Sequence, residues 1–390
     1  QTFKMHITIN TSRINYLLDL YGLKVDEFLA YISRGRKNPI TKDEVFSQNV
    51  KPSILKKVDN LFNRGFAYYI DESPVKSNKQ DSIFFRKNTF NVELNLAAKK
   101  AVDTFERKKD EFFALSKLSN YNLERMLPKY TINDNPEQIA KAVRMLLDFR
   151  FDSDKRKYLA NIINSLSSKN IIVFEFVEAH NLKEKANIDG LYITPNIIVL
   201  KRQQKAFRRE IFTLAHELGH YLLDIEEVDK IHFSDSYNNL NKIEKWCNEF
   251  AFYFLSDFNS KYLESLDTAS HVNDYHIDFV NEMSQRTHLS KLAIFTQLLS
   301  INKLSSVSYN KIRRDLKEQF EARERELNKK RELEKIDNIE NKQTGAAPKA
   351  IISNIQKDII RSAYHEGVIN ESQFCEYLKI KPESIENYLY

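Results

Sequence analysis

The chain has 390 residues and a formal net charge of +6, from 60 Lys and Arg against 54 Asp and Glu, a mild excess that permits nucleic-acid binding without arguing for it. Apolar residues make up 42% and aromatics 12%, which excludes a disordered chain, and no apolar run approaches the roughly 18 residues that span a bilayer. The glycines stand singly at 22, 35, 65, 190, 219, 345 and 367, which excludes the clustered glycines of a dinucleotide-binding turn or a Walker loop.

The first residues, QTFKMHITIN, lack the charged start and apolar stretch of a secretion signal. Two cysteines, Cys247 and Cys375, build neither a framework of bridges nor a multi-cysteine zinc site, and suit a reducing compartment. The expectation is a cytoplasmic protein. From Ile9 to about Tyr69 apolar residues recur at three and four, as in Ile14, Leu17 and Leu18 and again in Ile54, Leu55, Val58 and Leu61, which predicts a helical domain over 1–74. Asp71-Glu72-Ser73-Pro74 breaks the period, and Val75 to Phe90 reads as a linker. A strongly helical run follows at 91–127, so 75–134 is taken as linker plus helical segment.

Asn135-Pro136-Glu137 supplies a cap, a first-turn proline and an early acid, and opens a core domain placed at 135–310. After a helix at about 155–166, IIVFEFVEA (171–179) and two runs within 187–202 are the convincing strands. The fold class is therefore α+β, predominantly helical, with a short sheet. Residues 311–345 interleave both charges with too few leucines for a heptad seam and read as a charged helical linker. A small helical unit closes the chain at 346–390.

The chemistry lies in IFTLAHELGHYLLD, which contains His216-Glu217-Leu218-Gly219-His220 within a helical pattern supported by Ile211, Leu214, Leu218 and Leu222. Residues four apart on a helix share a face one turn apart, so both imidazoles can reach one zinc ion while Glu217 stands beside them as a base. A chance HExxH is the bland alternative. Its setting in a helix, after strands and before an acid-bearing helix, favours a site. A catalytic zinc needs a third ligand, for which IEKWCNEFAFYFL offers Glu244 and, as rival, Glu249. With Glu244 as ligand, Asn248 faces the same way and can hydrogen-bond a ligand histidine, fixing its tautomer. Cys247 is directed differently and reads as a small buried side chain.

FRREIFTLAHELGHYLLD, the E-x-x-C-N-x-F-A of Glu244 to Ala251, and the upstream strand ending in IIVLKR resemble the ImmA/IrrE-type metallopeptidases, over about 170–260. That resemblance implies a zincin-like core in an intracellular zinc endopeptidase, with His216, His220 and Glu244 as zinc ligands and Glu217 as the base. It also implies a protein substrate, a helix-turn-helix regulator cleaved to switch on mobile-element, stress or defence genes. Cys247 stands where the family commonly has Ala, and Ser256-Asp257 where it often has a Met-Pro-like turn. Residues 9–74 are similar to the degenerate helix-turn-helix segment of longer members, which implies DNA or protein contacts there. A DNA-reading helix presents Arg, Lys, Asn or Gln in a compact turn, whereas SRGRKNPITKDEVFSQNV is irregular and proline-broken, so a relic domain serving protein contacts stands beside DNA contact through these N-terminal helices as the expectation.

Lys201, Arg202, Lys205, Arg208 and Arg209 read as a solvated basic loop in preference to a path for acidic substrate. His232, His271, His276 and His288, or a tyrosine, are open candidates for polarising a scissile carbonyl. A rival function is a non-catalytic binding protein with a structural or sensing zinc, supported by the large fraction of chain outside the core. An acid at Glu217 is superfluous to such a module.

Overall fold

The structure is a computed structural model and describes residues 6–75, 94–178, 184–202, 207–226, 241–337 and 350–389. The chain divides into two units, Gln1–Glu106 and Arg107–Tyr390. No described helix is long and apolar enough to cross a membrane.

The first unit strings together α1 (Thr11–Tyr21), α2 (Val25–Ile32), α3 (Lys42–Phe46), α4 (Pro52–Phe62) and α5 (Phe66–Ile70). Local chemistry sets their ends. The Asn10 side chain accepts from the Ser12 amide at the start of α1, and Gly22 takes the left-handed conformation, φ 60°, that ends it. Thr41 and Glu44 form a capping box that opens the short α3. Ile14, Leu17, Phe28, Leu55 and Phe62 fill the core. Two strands of two residues each, β1 (Ile7–Thr8) and β2 (Asn49–Val50), pair antiparallel and join the segment before α1 to that between α3 and α4; the sequence reading has no strand here, because two residues carry no period. Buried Arg13 donates from Nε to the Asp71 carbonyl at 2.9 Å and from Nη2 to the Ser73 carbonyl at 3.1 Å. The helix expected within 91–127 is one element, α6 (Leu96–Leu118), and the expected linker lies outside the described residues apart from Val75.

In the second unit α7 (Pro136–Leu147) starts where its signals place it, with the Asn135 side chain accepting from the amides of Glu137 and Gln138 at 2.9 and 3.1 Å. Helix α8 (Lys155–Ser167) is capped in the same way by Asp154. Strands β3 (Ile172–Val177), β4 (Gly190–Ile193) and β5 (Ile197–Arg202) form a mixed sheet of order β3-β5-β4, with β3 parallel and β4 antiparallel to the central strand. Every residue of β5 is buried, as expected for a strand covered on both faces and paired on both edges.

Helix α9 (Phe207–Leu223) lies on β4 and β5, and α10 (Lys242–Ser256) packs against both α9 and α7. Tyr158, Ile162, Val173, Ile198, Leu214, Leu218, Phe250 and Phe254 build one continuous core between these elements. Phe174, the β3 residue between Val173 and Glu175, meets Phe112 edge-on at 5.2 Å, and Phe112 meets Tyr377 at 6.1 Å. Helices α11 (Ile277–Thr287) and α12 (Lys291–Ser300) precede the long charged α13 (Ser306–Asp337), and α14 (Asn354–His365) and α15 (Glu371–Leu378) belong to the C-terminal part. The α+β, predominantly helical class read from the sequence is the class observed.

Candidate metal centre

Helix α9 carries His216, Glu217 and His220, which are 1%, 3% and 1% exposed. The crossing helix α10 carries Glu244, 4% exposed, and the ligand atoms of His216, His220 and Glu244 all lie within 4.8 Å of one another. The Nε2 atoms of the two histidines are 3.1 Å apart. Glu244 sets one carboxylate oxygen 3.2 Å from His216 Nε2 and the other 3.1 Å from His220 Nε2. This is the one such group of donors among the described residues.

Three donors from two helices converge because the helices come very close. Gly219, between the two histidines, faces Cys247, between Glu244 and the next turn, and the absence of a side chain on one and the small one on the other let the backbones approach. The Asn241 side chain caps α10 by accepting from the Glu244 amide at 2.8 Å, which fixes the first turn that presents the carboxylate. One turn later Asn248 Oδ1 lies 3.1 Å from His216 Nδ1. An amide oxygen there accepts from Nδ1–H, so it is Nε2 of His216 that faces Glu244 and His220. Glu249 is not among the converging donors. Burial pushes the Glu244 carboxyl up, but the charge of His216 and its hydrogen bonds with both histidines outweigh that and hold it well below the usual carboxylate range.

Glu217 points toward the sheet. Its carboxylate lies against Gly190, the first residue of β4, as does the Thr213 methyl one turn earlier. Glu210, a further turn back, forms an ion pair with Arg202 of β5, its Oε2 2.8 Å from Nε, and Arg202 Nη1 reaches both oxygens of Glu175 on β3 at 3.0 and 2.9 Å. The three side chains of this network are 2% exposed or less. The sequence reading passes over Glu210 and Glu175 and takes Gly190 only as part of the strand region, without a role beside the site.

The basic cluster is not the solvated loop expected. Lys201 and Arg202 are 9% and 5% exposed. Lys201 pairs with Glu178 at 2.7 Å and donates to the Ala186 carbonyl at 2.5 Å. Arg208 donates to the Leu289 carbonyl at 2.8 Å, and Arg209 pairs with Asp189. Arg202 and Arg209 tie the HExxH helix to the strand region, and Arg208 ties it to Leu289, just beyond α11. Lys205 lies outside the described residues.

Three of the candidate histidines are placed elsewhere. His288 stacks on Phe151 with ring centroids 4.8 Å apart, its Nε2 is 2.7 Å from the Asp152 carbonyl, and burial pushes its pKa down. His276 Nε2 is 3.1 Å from the Asp267 carbonyl, and His271 is exposed. None of the three joins the donor group. His232 lies outside the described residues. A cleft of about 590 Å³ lined by Phe113, Tyr121, Arg125 and Pro195 contains none of the converging side chains.

Comparison with curated proteins and with solved structures finds no match. The resemblance read from the sequence holds over the segment that builds this centre: residues 172–257, which contain all four side chains of the HExxH pair, its acid and the third donor, match the Peptidase_M78 family model, described as the IrrE N-terminal-like domain.

Proposed function

We propose that this chain is a zinc-dependent endopeptidase of the cytoplasm, with His216, His220 and Glu244 as ligands and Glu217 as general base. The observation that carries the reading is the spacing of the donors. Zinc bonds of about 2.0–2.1 Å at tetrahedral angles put neighbouring ligand atoms about 3.3 Å apart, and the three pairs here stand at 3.1, 3.1 and 3.2 Å. Two imidazoles and one carboxylate on a buried centre are also the donor set of a catalytic zinc with one position left for substrate.

Zinc bound there supplies an acidified water and a positive charge facing the carbonyl oxygen. The remaining work falls to the chain. Asn248 holds the His216 tautomer, and Glu217, one residue along the same helix, takes the proton of the attacking water and returns it to the leaving amine. The substrate class, a helix-turn-helix regulator, rests on the resemblance to ImmA/IrrE-type peptidases and on the matched segment.

The test is metal content by mass spectrometry together with cleavage of the helix-turn-helix regulator encoded nearest to this gene. One zinc per chain and cleavage lost in Glu217→Gln are expected. Zinc without any Glu217-dependent cleavage would transfer the case to a binding protein with a sensing or structural metal, and absence of zinc would overturn both.

A further inference from the structure

We infer that Gly190 is a positioning residue for Glu217: the missing side chain at the entry of β4 is the slot into which the base is seated, an inference that rests on the peptidase reading above. A Cβ built on Gly190 would lie 2.7 Å from Glu217 Oε1, 2.8 Å from Glu217 Cγ and 2.6 Å from the Thr213 methyl carbon. Contacts that short do not occur between carbon atoms at rest, so any residue other than glycine forces a displacement. The demand is for space alone, since Gly190 is not among the residues with positive φ.

What has to move is decided by the surroundings. The HExxH helix is pinned to the sheet by the pair of Glu210 with Arg202 of the neighbouring β5 at 2.8 Å and by Arg209 with Asp189, the residue before Gly190. The strand is held in turn by its pairing, Gly190 with Leu200 and Leu191 with Val199. Thr213 is β-branched and stiff in a helix. Glu217 is the longer and unbranched of the two side chains that the added carbon meets, so its carboxylate is the group displaced from its place against Gly190. The three atoms nearest the added carbon belong to Thr213 and Glu217, and none of them to His216, His220 or Glu244.

A double-mutant cycle on thermal unfolding of the full chain tests this without reference to activity. With Thr213→Ser in every arm, which removes the methyl carbon that the added Cβ would also meet, Gly190→Ala is expected to lower Tm clearly when Glu217 is present and much less when Glu217→Ala is added. An equal drop in both backgrounds overturns the inference. If Gly190→Ala with Thr213→Ser does not fold, recovery of folding in the variant that also carries Glu217→Ala supports it, and failure to recover overturns it. In the zinc-loaded enzyme, kcat should fall about 100-fold, the cost of roughly an ångström of misplacement, with KM, zinc stoichiometry and the absorption spectrum of the cobalt-substituted protein unchanged. A shifted cobalt spectrum or lost zinc would overturn it by assigning Gly190 to the metal centre as a whole. A coupled cycle in a protein that cleaves nothing would leave the seating of Glu217 standing and defeat only the peptidase reading.

Discussion

Gly219 and Cys247 face each other across the two helices that supply the donors: a Cβ on Gly219 would lie 3.2 Å from both the Cα and the Sγ of Cys247. That is a few tenths of an ångström tighter than comfortable contact, and the atom opposite is backbone, which cannot rotate away. Gly219→Ala should therefore push α10 outward. Alanine is the better helix former by about 1 kcal/mol, so global stability should change little while metal affinity falls. Competition with a chromophoric chelator measures this, and Cys247→Ala in the same chain should restore part of the affinity. Unchanged affinity in Gly219→Ala would mean that the crossing distance does not control the centre.

Glu217→Gln keeps the shape of the side chain and removes its ability to take a proton. The expected outcome is full metal content and a rate lower by about 10²–10⁴, the usual contribution of a general base. Retained cleavage would assign the base elsewhere.

Glu244 and Asn248 should separate by degree. Asn248 acts through the His216 ring, so Asn248→Ala should weaken metal binding by about 10–100-fold. Glu244→Ala removes a donor and should weaken it further. Equal losses would mean that Asn248 does more than orient a ring, and no loss in Glu244→Ala would point to Glu249 or another residue as ligand.

Arg202 stands between two buried carboxylates, at 2.9 Å from Glu175 and 2.8 Å from Glu210. Arg202→Met leaves both without it and should cost about 3–5 kcal/mol of stability. Burial already pushes the Glu175 carboxyl up, against the pull of Arg202. Without that pull the folded state holds a proton more tightly than the unfolded chain, so the stability of the variant should rise as pH falls through the folded-state pKa of Glu175. Denaturant unfolding across acidic to neutral pH checks the slope, and a deficit independent of pH would exclude Glu175 as its source.

The parts of this molecule that were legible in the sequence are those set by neighbours in sequence. The start of α7 is written in Asn135-Pro136-Glu137, and the two imidazoles of His216 and His220 share a face because four residues make about one turn. The parts that were not legible depend on partners far along the chain. Arg202 looked like one more surface cation because its partner Glu175 belongs to another strand, and the choice between Glu244 and Glu249 needed the distance between two helices, which no local pattern encodes. The pairing of β1 with β2 spans only two residues on each side and leaves no periodic trace.

The backbone amide of Ile351 donates to Glu175 Oε2 at 2.5 Å. A stretch of chain nearly a hundred residues beyond the matched segment thus supplies a donor to a carboxylate wholly enclosed by the sheet, and Tyr377 on α15 packs with Phe112 and, through it, with Phe174. The recognisable part and the part able to fold are different lengths. Residues 172–257 cut out as a module would arrive with a hungry acid and a bare hydrophobic face, so transplanting this centre means carrying its tail along.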